Sequence, residues 1–299
     1  MSAVAEKAVI AATKPARGRA TGGFWRRVAR HVLRDKVALL CAAILGAIAL
    51  SAIFAPWVAP ADPYKTSMIR RLLPPFSPHF ILGTDELGRD MLSRLIYGGR
   101  VSLTMGLLPV VLATVLGGSL GVIAGYFGRH VNMAIMRIID VFYAFPSVLL
   151  AVAMAGVLGA GIVNSLISLT LVFIPPIARV AESVTTQVRN QDYVEAARAT
   201  GASAARIIVQ QVLANVTGPI LTYASSLVSI AIIISSGLSF LGLGAAPPIA
   251  DWGLMLNTLR QAIYVAPVNA VLPGAMIFAA SVSFNLLSDS LRTAMDVRA

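Results

Sequence analysis

Few side chains in this sequence are of the types that catalyse reactions or bind metals. The three histidines, His31, His79 and His130, are scattered and show no metal-ligand spacing. The single cysteine, Cys41, lies in an apolar run without an intrachain partner, which excludes a disulfide framework. No close carboxylate pair and no Ser/His/Asp pattern stands out. The sequence therefore predicts no metal site and no enzyme that acts on covalent bonds.

The lysines exclude one further kind of site. All four of them lie in the first quarter of the chain, and none follows a glycine: Lys7, Lys14, Lys36 and Lys65. The phosphate-binding loop G-x-x-x-x-G-K-[ST] is therefore absent. We expect no ATP hydrolysis through such a loop and no bound cofactor.

One stretch has a spacing that suits a mechanical contact rather than a reaction. Residues 192–215 are rich in the helix-favouring Ala, Glu and Arg, and they include Glu195, Ala196 and Ala197. Gly201 is a natural break between two short helices. Glu195 and Arg198 are spaced to pair on an exposed face. The small alanines leave a slim helix that another protein can approach closely, which suits the passing of a push between subunits.

The elements that would hold this stretch are membrane helices. Hydrophobic residues make up 57% of the 299 residues and charged residues only 12%, whereas soluble domains carry about 25% charged residues. A helix needs about 20 apolar residues to cross the hydrocarbon core, and five charge-free runs are long enough: 37–61, 101–128, 141–178, 207–250 and 261–288. The third predicts a hairpin of helices at 133–157 and 163–184, and the fourth a span near 218–241. We therefore predict an all-α, polytopic membrane protein with six transmembrane helices, with five or seven spans as alternatives.

The charges predict the orientation. Residues 1–36 form a basic tail with nine Lys and Arg residues, of which 1–23 are expected to be disordered. The first apolar run, 37–59, is too long for a signal peptide, so it predicts an uncleaved first span. By the positive-inside rule the N- and C-termini are cytoplasmic. The net charge of +11 is then a topology signal rather than a sign of nucleic-acid binding.

The first external loop, 60–100, is the exception to the charge rule, because it holds six cationic and four acidic residues. Its last ten residues, 91–100, have helical character and lead into the second span. The loop is either a polar cap at the membrane surface or a docking or gating element. The candidate residues for docking are Gly83, Thr84, Asp85, Gly88, Arg89 and Asp90.

The spacing around Glu195 resembles that of a known family. It is similar to the EAA loop of ABC importer permease subunits, in the binding-protein-dependent transport family, and the matching residues are Glu195, Ala196, Ala197, Gly201 and Leu213. The family usually has a proline after the leucine, where this chain has Ala214. This departure puts in doubt a kink at the end of the second short helix.

Two further stretches resemble the C-type permease of dipeptide, oligopeptide and nickel importers. They are residues 24–64 and the segment 82–90, and the resemblance extends to the C-terminus. Arg137 and Asp140 also match, and their spacing predicts an ion pair within one helix. The resemblance implies a type I ABC importer fold, in which residues 101–299 form a core of five spans with a cytoplasmic coupling loop at 185–217.

The resemblance also implies a function and partners. The chain would be a non-catalytic subunit in the plasma membrane of a prokaryote, forming half of the translocation pathway for di- and oligopeptides. Its partners would be a homologous B-type permease, ATPase subunits that bind ATP and Mg, an extracytoplasmic substrate-binding protein and membrane lipid. Alternatives are import of nickel or another small solute, a stand-alone secondary transporter, and a membrane-anchored assembly protein.

Polar residues within spans are candidates for lining the pathway, because exposing them to lipid costs free energy. The candidates are Asn164, Ser165, Ser236 and Asn285, with Thr170, Ser235, Ser239 and Ser283 as further choices. Prolines at 146, 175, 176, 219 and 273 each free a backbone carbonyl and are expected to kink their helices.

Overall fold

The computed structural model describes residues 34–296, and all regular elements among them are helical. The helices are α1 (Lys36–Ile53), α2 (Ala55–Val58), α3 (Met91–Phe127), α4 (Arg129–Tyr143), α5 (Ser147–Leu158), α6 (Ile162–Arg189), α7 (Asp192–Ala199), α8 (Ala204–Ile207), α9 (Leu213–Phe240), α10 (Trp252–Leu259) and α11 (Pro267–Asp296), with short 3₁₀ segments at Met68–Arg70 and Arg260–Tyr264 and a π turn at Ile208–Val212. The all-α prediction is confirmed for this part of the chain. The basic tail, including the disorder expected for residues 1–23, lies almost wholly outside the described residues.

The predicted number of spans corresponds to five long helices and one bent pair. The helices that are long and apolar enough to cross a membrane are α1, α3, α6, α11 and the continuous helix that ends with α9. The pair α4 and α5, which are bent by 87° at the break between them, gives a sixth if the two helices together form one span. The helical lead-in expected at residues 91–100 is the first part of α3, which runs without a break to Phe127.

The unbroken helix predicted at 133–157 is wrong, because the chain turns sharply at residues 144–146. Pro146 has no N–H to continue the helix, and a residue before a proline is pushed out of the helical conformation. The last turn of α4 closes on Ala144, whose N–H donates to the carbonyl of Asp140 at 3.0 Å. The other prolines expected to kink helices remain inside α6, α9 and α11.

The span predicted near 218–241 begins earlier than expected. The second short helix after Gly201 does not stop, since α8 continues through the π turn into α9 as one helix from Ala204 to Phe240. The helix has no break at Ala214, where the family resemblance implies a proline. The predicted coupling loop and the fifth span therefore form a single continuous helix on the C-terminal side of Gly201.

Contacts between the connecting segments define two faces of the bundle. On one face, the turn between α5 and α6 bonds to the segment after α9: the Gly161 N–H and the Ser165 hydroxyl both donate to the carbonyl of Leu243, at 3.0 and 2.9 Å. On the same face Asn269, at the start of α11, donates to the carbonyl of Leu73 at 2.8 Å. The loop at 60–90 therefore lies with both of these segments.

The opposite face holds the junction of α3 with α4 and the turn that contains α7. There the Arg189 guanidinium donates to the carbonyl of Tyr126 at 3.2 Å. The far end of α1 lies at the first face, because Arg100 donates to the carbonyls of Ala52 and Ile53. The chain alternates between the two faces only if α4 and α5 together cross the bundle once, which agrees with six spans.

The centre of the bundle is the pair α3 and α6. Three glycines at four-residue spacing, Gly117, Gly121 and Gly125, face α6 directly. A Cβ atom at Gly121 would overlap the carbonyl oxygen of Ala178, and one at Gly125 would lie 2.7 Å from the carbonyl oxygen of Glu182. Small residues at this spacing let two membrane helices approach until their backbones touch. The pair forms the rigid frame on which the candidate sites are built.

Candidate functional site

Helix α7, the predicted contact helix, lies on the bundle by one residue and leaves its other side free. Val194 is fully buried, whereas Glu195 and Ala196 are exposed and Ala197 is half-buried. Asp192 and Glu195 stand in the first turn, where negative charge favours the helix dipole. The helix is therefore fixed in place while it presents an acidic, slim surface outward.

The end of α7 explains why a glycine stands at residue 201. The Gly201 N–H donates to the carbonyl of Arg198 at 2.9 Å, and the Ala202 N–H donates to the carbonyl of Ala197 at 3.2 Å. This pair of bonds is a Schellman motif, which needs a left-handed residue after the helix end. Gly201 has φ +79°, and no atom lies within 4 Å of the position of a Cβ there. The backbone conformation, and not a lack of space, requires glycine.

Arg198 does not form the ion pair predicted with Glu195. Its guanidinium carbon lies 5.3 Å from the ring centroid of Tyr126, a buried residue at the end of α3. A guanidinium within about 6 Å of an aromatic ring is attracted to it electrostatically. The prediction failed because the ring, distant in the sequence, offers Arg198 a contact with the bundle. Consequently α7 is tied to α3 as well as to α6.

Two more residues of this region complete the surface. Leu213 is partly exposed at the start of α9, next to Val212, which is fully buried. The phenol of Tyr193 is exposed on α7, and partial burial raises its pKa above the ordinary value. This phenol stays neutral at physiological pH and can donate a hydrogen bond to a partner protein.

On the opposite face, Asp85 organises the loop at 60–90. Its carboxylate accepts the N–H groups of Leu87 and Arg89, both at 2.9 Å, and pairs with the guanidinium of Arg89 at 2.6 Å. Arg94 lies 3.1 Å from the same carboxylate. Arg89 also pairs with Glu86 at 2.9 Å. The two buried cations Arg89 and Arg94 thus share the buried anion Asp85, and Glu86 lies at the rim. We call these four residues the Asp85 cluster.

The neighbouring residues bond the Asp85 cluster to the rest of the loop. Thr84 donates to the carbonyl of Arg70 and accepts the N–H of Leu73 at 2.9 Å. Asp90 caps α3 by accepting the N–H of Ser93 at 2.7 Å. Gly83 and Gly88 have φ +74° and +72°, and a Cβ at either would overlap the backbone of residues 67–74.

The six residues predicted for docking therefore shape the loop from inside. Four apolar residues on the loop surface are strongly exposed, namely Met68, Ile69, Phe76 and Ile81, and Leu87 is partly exposed. A side chain that is buried presents no surface to a partner. The docking role of the six stays a prediction, and the structure assigns them the positioning of this apolar surface.

Sequence reasoning missed three residues that hold segments of the same face together. Asn269 donates to the carbonyls of both Leu73 and Thr84 at 2.8 Å. The hydroxyl of Ser102 donates to Asp251 at 2.7 Å, and Asp251 in turn caps α10. The aspartate before a helix is a readable cap signal, but partners more than a hundred residues apart leave no mark in the spacing.

The predicted pathway residues are placed differently from one another. Asn164 donates to the carbonyls of Leu158 and Gly159 at 2.8 and 3.1 Å, which closes the turn between α5 and α6. Ser165 bonds to Leu243 as described above. Ser236 is buried, and Asn285 is exposed on α11. The structure does not bring the four together, and their role in a pathway stays a prediction.

Asp140 does not pair with Arg137, as the sequence predicted. It pairs with Arg179 of α6 at 2.6 Å, and Arg179 also lies 4.4 Å from the ring centroid of Tyr143. The prediction considered only neighbours on one helix, whereas α4 crosses α6 and brings the stronger partner to it. Within residues 34–296, no group of three or more His, Cys, Asp or Glu residues is placed to hold a metal ion.

Comparison with known families decides what kind of protein carries these two surfaces. Residues 117–299 match the family described as the inner membrane component of binding-protein-dependent transport systems. Residues 23–75 match the N-terminal transmembrane domain of oligopeptide transport permease C. The chain belongs to the permease family of ABC importers.

Individual relatives agree with this assignment. The permease is 40% identical over 278 residues to the di/tripeptide transport system permease protein DppC of Pseudomonas aeruginosa, covering 91% of this chain and 90% of that protein. It is 38% identical over 272 residues to the dipeptide permease DppC of Alkalihalophilus pseudofirmus, covering 91% and 89%. It is 36% identical over 291 residues to the glutathione permease GsiD of Pectobacterium atrosepticum, covering 97% and 96%.

A solved structure shares the fold of the permease. The chain superposes on a subunit of the MetNI methionine ABC transporter with a TM-score of 0.53, covering 67% of this chain and 97% of that one at 18% identity. The predicted type I importer fold is thus confirmed. The permease is a multi-pass component of a bacterial inner membrane.

Proposed function

We propose that this permease forms half of the translocation pathway of an ATP-driven importer of di- and oligopeptides. The relatives with the higher identities named above are di- and tripeptide permeases, and glutathione is itself a short peptide. The chain aligns with each of these relatives over nearly its whole length, so both the N-terminal loop and the core are shared.

The observation that carries the proposal is the geometry of α7. One buried residue, Val194, and the stacking of Arg198 on Tyr126 fix the helix to the bundle, while Glu195 and Ala196 project outward. A fixed helix with a free acidic surface is suited to enter a groove of a separate ATPase subunit. We propose that ATP and Mg bind in that partner and not in this chain.

The opposite surface supports the proposal of a second partner. The Asp85 cluster orders the loop at 60–90, on which Met68, Ile69 and Phe76 are exposed. We propose that an extracytoplasmic substrate-binding protein docks there, and that a B-type permease supplies the other half of the pathway. The face with α7 is then cytoplasmic, as is the basic N-terminal tail that precedes α1.

The proposal is tested by purifying the assembled complex and measuring ATP-driven uptake of a labelled dipeptide into proteoliposomes. We expect uptake to require the ATPase subunits and the binding protein. Glu195→Arg reverses the charge of the exposed surface, so it should lower uptake without removing the permease from the membrane. Uptake by this chain alone, with no ATPase present, would overturn the proposal.

A further inference from the structure

A polar depression lies between α4 and α6, at some distance from the residues predicted for the pathway. It has a volume of 370 Å³ and is lined by Asn132, Met136, Asp140, Arg179, Glu182 and Ser183. Four of these six side chains are charged or carry an amide. The surrounding surface of α4 and α5 is apolar, with Ile138, Val141 and Leu149 strongly exposed.

The charged groups of the depression are open rather than buried. The side chains of Asp140 and Arg179 are 46% and 47% exposed although they pair at 2.6 Å. Glu182 accepts hydrogen bonds from Asn132 at 2.6 Å and from Thr186 at 3.3 Å, both of them neutral donors. Among the ion pairs of the described residues, none involves Glu182. The site thus holds one neutralised pair and one carboxylate whose charge is not balanced nearby.

Helix lengths place the depression within the thickness of the membrane. Arg179 precedes Arg189, the last residue of α6, by ten residues, or about 15 Å at 1.5 Å per residue. It follows Ile162, the first residue of α6 at the opposite face, by 17 residues, or about 26 Å. The hydrocarbon core is about 30 Å thick. Counted from the start of α6, the ion pair therefore lies inside the core, in the part nearer the face with α7.

A half-exposed ion pair at this depth is not stable against lipid. Charged side chains within membrane spans face the bundle interior or a water-filled cavity, because hydrocarbon does not solvate them. The outer side of α3 shows the contrast, since Val115, Leu116 and Leu120 are exposed there at a comparable level. The depression must accordingly contact water, a charged ligand or polar groups of a partner chain in the assembled transporter.

We propose that this depression lines the water-filled part of the translocation route and binds the charged termini of the peptide. The Arg179 guanidinium suits a carboxylate by its planar fork of donors, and the unbalanced Glu182 suits an ammonium group. Asp140 holds Arg179 in place between peptides. The identity of the ligand rests on the proposed function, whereas the exposure of the depression to water does not.

The first test measures whether the depression is wet. Cys41 is replaced by alanine, and a cysteine is then introduced by Ser183→Cys in the depression or by Ser119→Cys on the apolar side of α3. The two serines are exposed and lie about 9 and about 12 Å from the ends of α6 and α3. They form a matched pair, because the substitution and the depth are nearly the same.

Each variant, in the complete nucleotide-free complex, is treated with a membrane-impermeant cationic methanethiosulfonate. Only the thiolate reacts, and thiolates form in water rather than in lipid. We expect the cysteine at 183 to react at least about tenfold faster than that at 119. Equal slow rates for the two would overturn the proposal, because they would show that lipid or a partner chain covers the depression.

The second test measures recognition of charge, with the cysteine at 183 as the reporter. Millimolar alanyl-alanine should slow its modification several-fold, while the same dipeptide N-acetylated and C-amidated should not. Combining Asp140→Asn with Arg179→Gln should abolish the protection and leave the labelling. Equal protection by the two peptides, or none, would overturn the assignment of a charged-terminus site. Failure of the proposed function appears separately, as absence of peptide uptake by the unmodified complex.

Discussion

The guanidinium of Arg198 lies over the ring of Tyr126 at 5.3 Å from its centroid. This contact joins the exposed helix α7 to the end of α3, the helix that packs backbone to backbone against α6. We expect this contact to pass a push on α7 to the closely packed helices α3 and α6. The neighbouring Arg189 reinforces the joint by donating to the carbonyl of the same tyrosine.

Removing this contact should uncouple ATP hydrolysis from peptide uptake. A cation–π contact contributes about 1 kcal/mol, so Arg198→Ala should leave the fold intact but lower peptide uptake per ATP hydrolysed several-fold. The matched control is Arg206→Ala, because Arg206 donates to Gln210 within its own helical rod. The measurement is the ratio of uptake to ATP hydrolysis in proteoliposomes. An unchanged ratio in the Arg198 variant would refute the joint.

The C-terminal cap of α7 should tolerate only residues that readily adopt the left-handed backbone conformation at position 201. Gly201→Ala forces a left-handed alanine, at a cost of about 1–2 kcal/mol, while Gly201→Asn should cost less because asparagine visits that region. We expect weaker binding of the ATPase subunit in co-purification, in the order Ala below Asn below Gly. Gly156→Ala is the control, since its Cβ meets open space within a helix. Equal binding by all four proteins would contradict the cap.

The contact between α3 and α6 should be sensitive to a single methyl group. Gly121→Ala places its Cβ against the carbonyl of Ala178, whereas the Cβ of Gly118→Ala finds its nearest atom, on Ile220, at 3.9 Å. Overpacking costs about 1–3 kcal/mol, so the first variant should melt at a lower temperature than the second in detergent. Identical melting temperatures would show that the two helices are not in backbone contact.

The Asp85 cluster on the opposite face depends on the negative charge of Asp85. Asp85→Asn removes the anion shared by Arg89 and Arg94, and leaving buried charges without a partner costs about 3–5 kcal/mol. Glu86→Gln touches the same cluster at its rim and should cost much less. Limited proteolysis of the loop at 60–90 measures the difference. Comparable protection of both variants would argue against Asp85 as the organising residue.

The sequence allowed the prediction of elements whose signals are local. The charge-free runs indicated the spans, and Gly201 marked the end of α7, because apolar length and a left-handed glycine act within a few residues. The break before Pro146 was noted only as a kink in one helix. A proline alone does not state the angle, since the prolines of α6, α9 and α11 leave their helices continuous.

The pairing of residues distant in the chain was beyond the sequence. Asp140 has Arg137 as a local partner, yet it bonds to Arg179 because α4 crosses α6. Likewise Arg198 contacts the ring of Tyr126 instead of pairing with Glu195. In both cases spacing offered a plausible neighbour on the same helix, and tertiary packing supplied a better one. The burial of the residues around Asp85 was hidden for the same reason.

The most direct test of the account is the blocking of α7 by a bulky exposed residue. Ala196→Trp adds an indole to the exposed side of α7, and the control Ala205→Trp adds one to an exposed alanine of α8. In the reconstituted complex we predict that only Ala196→Trp abolishes both peptide uptake and its stimulation of ATP hydrolysis, with assembly of the two permeases unchanged. Wild-type uptake and stimulation in the Ala196 variant would contradict coupling through α7.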